Sequence, residues 1–252
     1  MYSYILCLCL SVITVHGAAS PEIQKLVYEG FRHDPKEHGF MVLIGKFWSN
    51  HTDQFKDSCT GSIIDKEWII TAAHCFLKDV TDVPIIQRIK GKQRLIGYVR
   101  QRDIIMHPNY LPNEPWQYDL ALLRTEKPIP FDEYASPIPL AWSRGPGQEG
   151  LFGGYGESEF GSGTPLIGEA VLEETCLAPF ARTPRQFLCS RSTESITAHG
   201  DSGGPVFTRD GLVGVILGVE ESLHESVFLD ISQKFNWIEQ VTGIYPQRRM
   251  AV

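Results

Sequence analysis

The chain has little that would bind nucleic acid or hold it in a membrane. Its 252 residues carry a net charge of −7 and contain no basic cluster interleaved with aromatic residues, so electrostatic attraction to a phosphate backbone is not expected. After the first 20 residues no apolar run is long enough to span a bilayer, and Arg248–Val252 is not an anchor signal. Internal repeats and low-complexity linkers are also missing. We therefore expect neither nucleic acid nor a membrane among the partners.

The N-terminus is typical of a secretory signal peptide. An apolar run from Tyr4 to Val15 is followed by small residues, with predicted cleavage after Gly17 or Ala19. The alternatives are a buried strand and a membrane anchor, but the run is too short to cross a bilayer comfortably. Residues 1–19 are therefore predicted to be a signal peptide and the protein to be secreted and extracellular. In that setting Asn50 lies in an N-glycosylation sequon.

Cysteine is scarce once the signal peptide is removed. Cys7 and Cys9 leave with it, and the four that remain can pair in three ways. An oxidising compartment favours disulfides over free thiols. No two cysteines have zinc-ligand spacing, and no segment has the ligand spacing of a calcium loop. We expect no metal and no cofactor.

Short apolar runs separated by turns predict an all-β fold. The chain has 23 glycines and 16 prolines spread along its length, which suits many strands joined by turns. Residues at helical spacing predict one helix over Ser232–Val241, capped by Ser232 and followed by Gly243. Periodicity alone leaves barrel and sandwich open. The predicted strands are Phe40–Ile44, Ser62–Thr71, Arg94–Val99, Leu120–Leu123, Ala170–Leu172, Val213–Leu217 and Ser226–Leu229.

Three separate segments carry the residue types that activate a serine. His74 lies in Thr-Ala-Ala-His-Cys, Asp119 in Tyr-Asp-Leu-Ala-Leu-Leu, and Ser202 in Gly-Asp-Ser-Gly-Gly-Pro. A serine hydroxyl is a poor nucleophile at neutral pH, so it needs a base, and the base needs a carboxylate that holds its tautomer. The three residues could supply a nucleophile, a general base and its orienter.

Each segment also has an ordinary structural interpretation. Ser202 could stand in a glycine-rich hairpin, His74 in the core at a strand end, and Asp119 at a turn. Asp103 and Glu114 are competing carboxylates, but neither precedes an apolar run so directly. The presence of all three segments in one chain favours acyl transfer.

These segments resemble those of the trypsin/chymotrypsin-like serine peptidases, and the resemblance extends from about Leu26 to about Gly243. It implies two six-stranded antiparallel β-barrels with the active site in the cleft between them, and a C-terminal α-helix. The peptidase domain would cover residues 26–243, with a barrel boundary at about 130–140 and a tail at 244–252. Protein or peptide substrates, an activating protease and serine protease inhibitors are the partners that the resemblance implies.

The resemblance also implies roles for residues around the serine. The backbone N–H groups of Gly200 and Ser202 would form the oxyanion hole. Disulfides Cys59–Cys75 and Cys176–Cys189 would fasten the histidine turn and close a loop beside the specificity pocket. Asp201 would pair with a new N-terminal amine at Leu26 after removal of a short propeptide, residues 20–25.

The predicted specificity pocket departs from the tryptic pattern. Ile196 stands six residues before the serine, where family members that cleave after Lys or Arg have aspartate, and Val219 and Ser226 would form walls that are often glycine. A charged side chain would be costly to bury there, so cleavage after Lys or Arg is not expected. Bulk at both walls would make the pocket shallow, so we expect a preference for small apolar residues before the cut.

A second departure keeps another function open. Where the family usually has Ser-Trp-Gly, this chain has Leu217-Gly218-Val219. The sequence therefore predicts a secreted serine endopeptidase made as a zymogen, and its alternative is a weak or inactive homologue that acts as a binding or regulatory protein. A third interpretation is a sugar-binding or adhesion domain in which the three segments occur together by coincidence.

Overall fold

The computed structural model describes residues 31–246 apart from 46–47, 50–53, 56–57, 78–81, 114–115, 143–146, 159, 182, 184 and 193–194. The predicted signal peptide, the propeptide, Leu26 and Asn50 lie outside the described residues, and so do residues 247–252. No helix in the described part of the chain is long and apolar enough to cross a membrane.

The described residues are mostly strand, as the sequence predicted. The strands in chain order are β1 (Phe31–Arg32), β2 (Met41–Gly45), β3 (Trp48–Ser49), β4 (Gln54–Phe55), β5 (Ser58–Asp65), β6 (Trp68–Thr71), β7 (Val83–Ile89), β8 (Lys92–Val99), β9 (Ile104–Met106), β10 (Ala121–Arg124), β11 (Gln148–Gly154), β12 (Leu166–Leu172), β13 (Phe187–Arg191), β14 (Pro205–Thr208), β15 (Gly211–Glu220) and β16 (Glu225–Asp230), and the helix α1 is Phe235–Thr242.

Two curled antiparallel sheets account for all but a short ribbon of β3 and β4. The first has the order β8-β7-β2-β5-β6-β10-β9 and the second β1-β12-β11-β14-β15-β16-β13. A bridge between Glu173, which directly follows β12, and Cys189 of β13 curls the second sheet back on itself. Each sheet has seven strands, against the six expected per barrel, because short strands such as β1 and β9 extend the edges. The all-β prediction is confirmed.

The apolar runs form strands where the sequence predicted them. The central strands of the first sheet, β2 and β6, are buried along their whole length, which their uninterrupted apolar residues require. The run Ser62–Thr71 is divided between β5 and β6, because a turn at residues 66–67 intervenes and the Asp65 carboxylate accepts a hydrogen bond from the backbone N–H of Glu67.

The C-terminal helix is confirmed, but its predicted cap is wrong. A 3-10 turn at Ile231–Lys234 precedes α1, and the Asp230 carboxylate accepts the hydrogen bond from the Ser232 backbone N–H. A carboxylate is an equally good N-cap acceptor, and it stands at the residue where the strand ends. Gly243 ends the helix with φ of 75° and donates its N–H to the Glu239 carbonyl, as a left-handed C-cap does.

The helix also ties the two sheets together. Trp237 of α1 packs its ring 4.7 Å, centroid to centroid, from that of His107, which follows β9 in the first sheet, and Tyr118 stacks on His107 at 4.8 Å. Burial, with a smaller effect of the Lys234 ammonium, lowers the pKa of His107 to about 4. Its Nδ1 accepts a hydrogen bond from the Asn109 backbone N–H, so the neutral ring is the form that fits.

Part of the pH dependence of stability should follow from this histidine, with His33 and His38 contributing in the same direction because burial also lowers the pKa of each. As the pH falls, the histidine in the unfolded chain, with a pKa near 6.5, takes up a proton before the histidine in the folded protein does. The contribution of His107 to the free energy of unfolding is therefore present above pH 6.5 and is lost as the pH falls towards 4. We expect a loss of about 1–3 kcal/mol over that window. His107→Gln should flatten the dependence, measured by urea unfolding at several pH values. The exposed His224→Gln is the control, and equal slopes in both variants would contradict the assignment.

Candidate active site

His74 and Asp119 are joined by two hydrogen bonds although 45 residues separate them. The His74 Nδ1 atom lies 2.6 Å from Oδ2 of Asp119, and the His74 backbone N–H donates to Oδ1 at 2.8 Å. The carboxylate is fully buried, whereas about a quarter of the histidine side chain is exposed. One edge of the imidazole is thus fixed by a buried acceptor while another edge remains open to solvent.

Strand pairing explains how these residues meet. Thr71 at the end of β6 pairs with Ala121 at the start of β10. Because the strands are antiparallel, the residues just beyond these two ends lie at the same edge of the sheet. His74 follows β6 in the 3-10 turn Ala73–Phe76, and Asp119 stands two residues before β10. The apolar segment Leu120–Leu123 is fully buried and holds Asp119 at the sheet.

Ser202 lies in the turn before β14, against the first sheet. Its carbonyl oxygen accepts a hydrogen bond from the Thr60 backbone N–H at 2.9 Å and lies 3.9 Å from Sγ of Cys75, the residue after His74. Gly203 has φ of 81°, and a Cβ there would lie 2.0 Å from Oγ1 of Thr71. The turn therefore needs glycine at this position both for its backbone conformation and for close contact.

Thr60 joins the two sheets at this point, and sequence reasoning missed it. Its hydroxyl donates to the Gly200 carbonyl at 3.0 Å and accepts from the Tyr155 backbone N–H at 2.9 Å. Its own carbonyl accepts from the Thr71 hydroxyl at 2.8 Å. Thr60 follows Cys59 in an ordinary strand pattern, so its role becomes visible only when the second sheet is in place.

Asp201 is buried inside the second sheet. Oδ1 accepts from the Gly156 backbone N–H and Oδ2 from that of Ala198, both at 2.8 Å. Burial raises the pKa of this carboxyl to about 7, although the two hydrogen bonds act in the opposite direction. A Cβ on Gly154 would lie 2.0 Å from Oδ1 of Asp201, and one on Gly156 would lie 2.6 Å from it. The Gly154-Tyr155-Gly156 turn therefore leaves room for the carboxylate only because both of these residues are glycine.

The residues predicted for the specificity pocket come together. Val219 faces Ser226 across the β15–β16 pair. Thr197, next to Ile196, donates its backbone N–H to the Ser226 hydroxyl at 2.9 Å and its hydroxyl to the Gly218 carbonyl at 3.1 Å. Ser226 is fully buried, and Ile196 and Val219 are half-buried. Ile196 and Val219 contribute apolar side chains to this region, and Ser226 contributes a buried hydroxyl.

The segment that departs from the Ser-Trp-Gly pattern contains a β-bulge. Ile216 pairs with Phe228 and Gly218 with Val227, so Leu217 is the extra residue, and it is buried. A Cβ on Gly218 would meet nothing within 4 Å. The space next to Gly218, where a larger residue would place its side chain, is therefore open at the Cβ position.

Both predicted disulfides are confirmed. Cys59–Cys75 has its Cα atoms 6.3 Å apart, and Cys176–Cys189 has them 5.6 Å apart, within the usual range. The first fastens β5 to the turn that carries His74. Among the described residues, the one cluster of metal-ligand types is His74 with these two sulfurs, which as a disulfide are not thiolate ligands.

A model of the family described as Trypsin matches residues 29–238. Among curated proteins, Trypsin 5G1 of Aedes aegypti is 25% identical over 234 residues, which cover 85% of this chain and 84% of that protein. The venom peptide isomerase heavy chain of Agelenopsis aperta is 24% identical over 238 residues, which cover 81% of this chain and 95% of that protein.

Among solved structures, that of HL collagenase is similar to this chain with a TM-score of 0.71 and 23% sequence identity. The similarity covers 86% of this chain and 99% of the collagenase chain. At this identity the likeness bears on the fold, and it agrees with the two curled sheets described above.

Proposed function

This chain belongs to the trypsin family, and on that premise we propose that it is a secreted serine endopeptidase in which Ser202 is the nucleophile, His74 the general base and Asp119 its orienter. The observation that carries the proposal is the pair of hydrogen bonds from His74 to a fully buried Asp119. They lie beside a turn in which the Ser202 carbonyl accepts a hydrogen bond from Thr60 and lies 3.9 Å from the Cys75 sulfur. A protein that only binds a partner does not require a histidine that is oriented by a buried carboxylate in this way.

The proposed reaction follows from these positions. Ser202 Oγ attacks the peptide carbonyl while His74 takes its proton, and Asp119 stabilises the imidazolium. His74 then protonates the leaving amine, an acyl-enzyme remains, and water, deprotonated by the same imidazole, releases the acid and restores the serine. The backbone N–H groups of Gly200 and Ser202 would bind the oxyanion. Within the described residues no group accepts a hydrogen bond from either of them.

Labelling by a fluorophosphonate probe tests the proposal. The probe should bind covalently to Ser202 in secreted protein that has been activated, and peptide mapping should place the adduct on that residue. A Ser222→Ala variant, altered at an exposed serine, should label normally. Absence of labelling in correctly folded, activated protein would favour the alternative, a catalytically inactive homologue that acts as a binding or regulatory protein.

Activation by cleavage after Lys25 is part of the same proposal. A buried carboxylate whose pKa is raised by desolvation gains most from a cationic partner, and a freed amine at Leu26 would supply it to Asp201. Limited tryptic cleavage should increase probe labelling at least about tenfold and give a protein that begins at Leu26, as read by N-terminal sequencing. Full labelling before cleavage, or a different first residue, would contradict this route.

The apolar side chains of Ile196 and Val219, at the positions predicted to form the pocket, support a preference for small apolar residues before the cut. Screening a peptide library should show this preference for the wild type. Ile196→Asp should shift it towards Lys and Arg by roughly 10–100-fold, because a carboxylate gives a buried cation its partner. Ile196→Asn is the uncharged control. A wild-type preference for Lys or Arg would contradict the assignment.

A further inference from the structure

Glu225 is a buried carboxylate that neither the proposed reaction nor the predicted pocket uses. It is fully buried at the start of β16, next to Ser226. Both of its oxygens accept from the Leu177 backbone N–H at 3.0 Å, and Oε2 also accepts from that of Ala178 at 2.6 Å. A charge at this depth is tolerated only with such partners.

Arg191 completes the attachment from the neighbouring strand. It stands directly opposite Glu225 in the β13–β16 pair, and its Nη1 lies 2.9 Å from Oε1. The same nitrogen donates to the Thr175 carbonyl at 3.4 Å. Together with Cys176–Cys189, these contacts fasten residues 175–178 to two strands of the second sheet.

The fastened segment leads directly to a contact with the first sheet. The 3-10 turn Pro179–Ala181 follows it, and the Phe180 ring stacks on that of Trp116 with centroids 4.3 Å apart and planes inclined by 28°. Beside the stack, the Gln117 amide donates to the Thr183 hydroxyl at 3.0 Å. We call Trp116, Gln117, Phe180 and Thr183 together the strap.

The strap joins the parts of the molecule that would bind and cut a peptide. Trp116 and Gln117 lie in the turn Trp116–Tyr118, directly before Asp119 and in the connection between β9 and β10 of the first sheet. Phe180 and Thr183 lie between β12 and β13 of the second sheet, on the segment that Glu225 holds beside the Ser226 wall. Rings stacked at 4.3 Å leave no room for a polypeptide between them.

We propose that the strap limits how far a peptide substrate can extend on one side of the cut, and that Glu225 is the positioning residue that holds the strap closed. The inference rests on the proposed function and deepens it. It names the preferred substrate class as peptides that are short, or that are cut near one end. Gly218 is consistent with it, because a glycine stands where the resemblance implies a cleft-lining tryptophan, and a Cβ there would meet nothing within 4 Å.

A peptide length series tests the strap. Peptides that share one cleavage site are extended by one to five residues at either end, and kcat and KM are measured for each. In the wild type, kcat/KM should fall on extension at one end only. Phe180→Ala should restore it by about tenfold for the longest peptides, through KM, and leave the shortest unchanged. A wild-type profile without this fall, or a profile that Phe180→Ala leaves unchanged, overturns the strap.

The role of Glu225 is tested by its coupling to Phe180. Glu225→Gln turns one accepting oxygen into a donor, which then faces either the backbone N–H groups of Leu177 and Ala178 or the Arg191 guanidinium. It should therefore release the length limit as Phe180→Ala does, and the double variant should equal either single one. Glu149→Gln, at an exposed carboxylate, is the control. Additive effects would make Glu225 merely structural and overturn its assignment. If Glu225→Gln does not fold, Gln117→Ala combined with Phe180→Ala tests the strap from its exposed side.

Probe labelling of Ser202 in every variant separates the two levels of the proposal. Labelling with an unchanged length profile would overturn the strap alone. Absence of labelling in all variants, including the activated wild type, would overturn the proposed function and the substrate limit with it.

Discussion

Replacing Ser202 with alanine is expected to lower kcat of the activated protein by roughly 10⁶-fold and to abolish probe labelling. The variant keeps the backbone N–H groups of Gly200 and residue 202, so the oxyanion hole and peptide binding should survive. Stability should change little, because Ser202 is only half-buried and its recorded contacts run through the backbone carbonyl. A fluorogenic peptide with a small apolar residue before the cut provides the assay.

The control for this variant is Ser222→Ala, at an exposed serine whose hydroxyl bonds to Glu220. It should keep wild-type kcat. Residual turnover of Ser202→Ala within a hundredfold of the wild type would mean that another residue is the nucleophile, provided that contamination is excluded by the absence of probe labelling. Thermal unfolding of both variants would show that any loss of turnover is not a loss of fold.

Asp119→Asn is expected to lower kcat by roughly 10⁴-fold with little change in structure. The asparagine can still accept the hydrogen bond from the His74 backbone N–H through Oδ1. At the other position an NH₂ group would replace Oδ2, which faces Nδ1 of His74 at 2.6 Å. That donor forces the ring proton onto Nε2, so the histidine loses the lone pair that would take the serine proton.

The predicted change of the His74 tautomer can be checked separately from kcat. Histidine ¹⁵N chemical shifts should report the proton on Nδ1 in the wild type and on Nε2 in Asp119→Asn. Asp103→Asn is the matched control, since Asp103 is the half-buried competing carboxylate. It should leave both kcat and the tautomer unchanged, and a larger loss there than at position 119 would contradict the assignment.

The two substitutions should not be additive. If Ser202, His74 and Asp119 act as one unit, the double variant should be no slower than Ser202→Ala alone. A further loss in the double variant would indicate that Asp119 stabilises something besides the transition state, for example the turn Ala73–Phe76, which its Oδ1 also holds.

The elements that sequence predicted well were those with a local cause. Strands such as β2 and β6 are short, uninterrupted apolar runs, and helix α1 ends at a glycine with positive φ. The sequence missed the 3-10 turn Ile231–Lys234 that precedes the helix, because its cap, Asp230, is also the last residue of a strand. Within a linear pattern, Ser232 and Asp230 are equivalent capping residues.

The strap and its anchor Glu225 show the opposite case. Glu225 stands one residue before the predicted strand Ser226–Leu229, and nothing in the local sequence indicates that it is buried. Trp116 and Phe180 are separated by more than 60 residues, and only the packing of one sheet on the other makes them a stacked pair.

By itself the sequence determined the family, the strand-rich class and the histidine, aspartate and serine segments, because each depends on residue types at short spacing. The pairing of the four cysteines followed only from the family resemblance. Tertiary structure alone decided which atoms meet. The 2.6 Å contact between His74 and Asp119, the contacts of Thr60 with the serine turn and the attachment of residues 175–178 to Glu225 all cross long sequence separations. Such contacts arise from strand register and from the packing of two sheets, which no local pattern specifies.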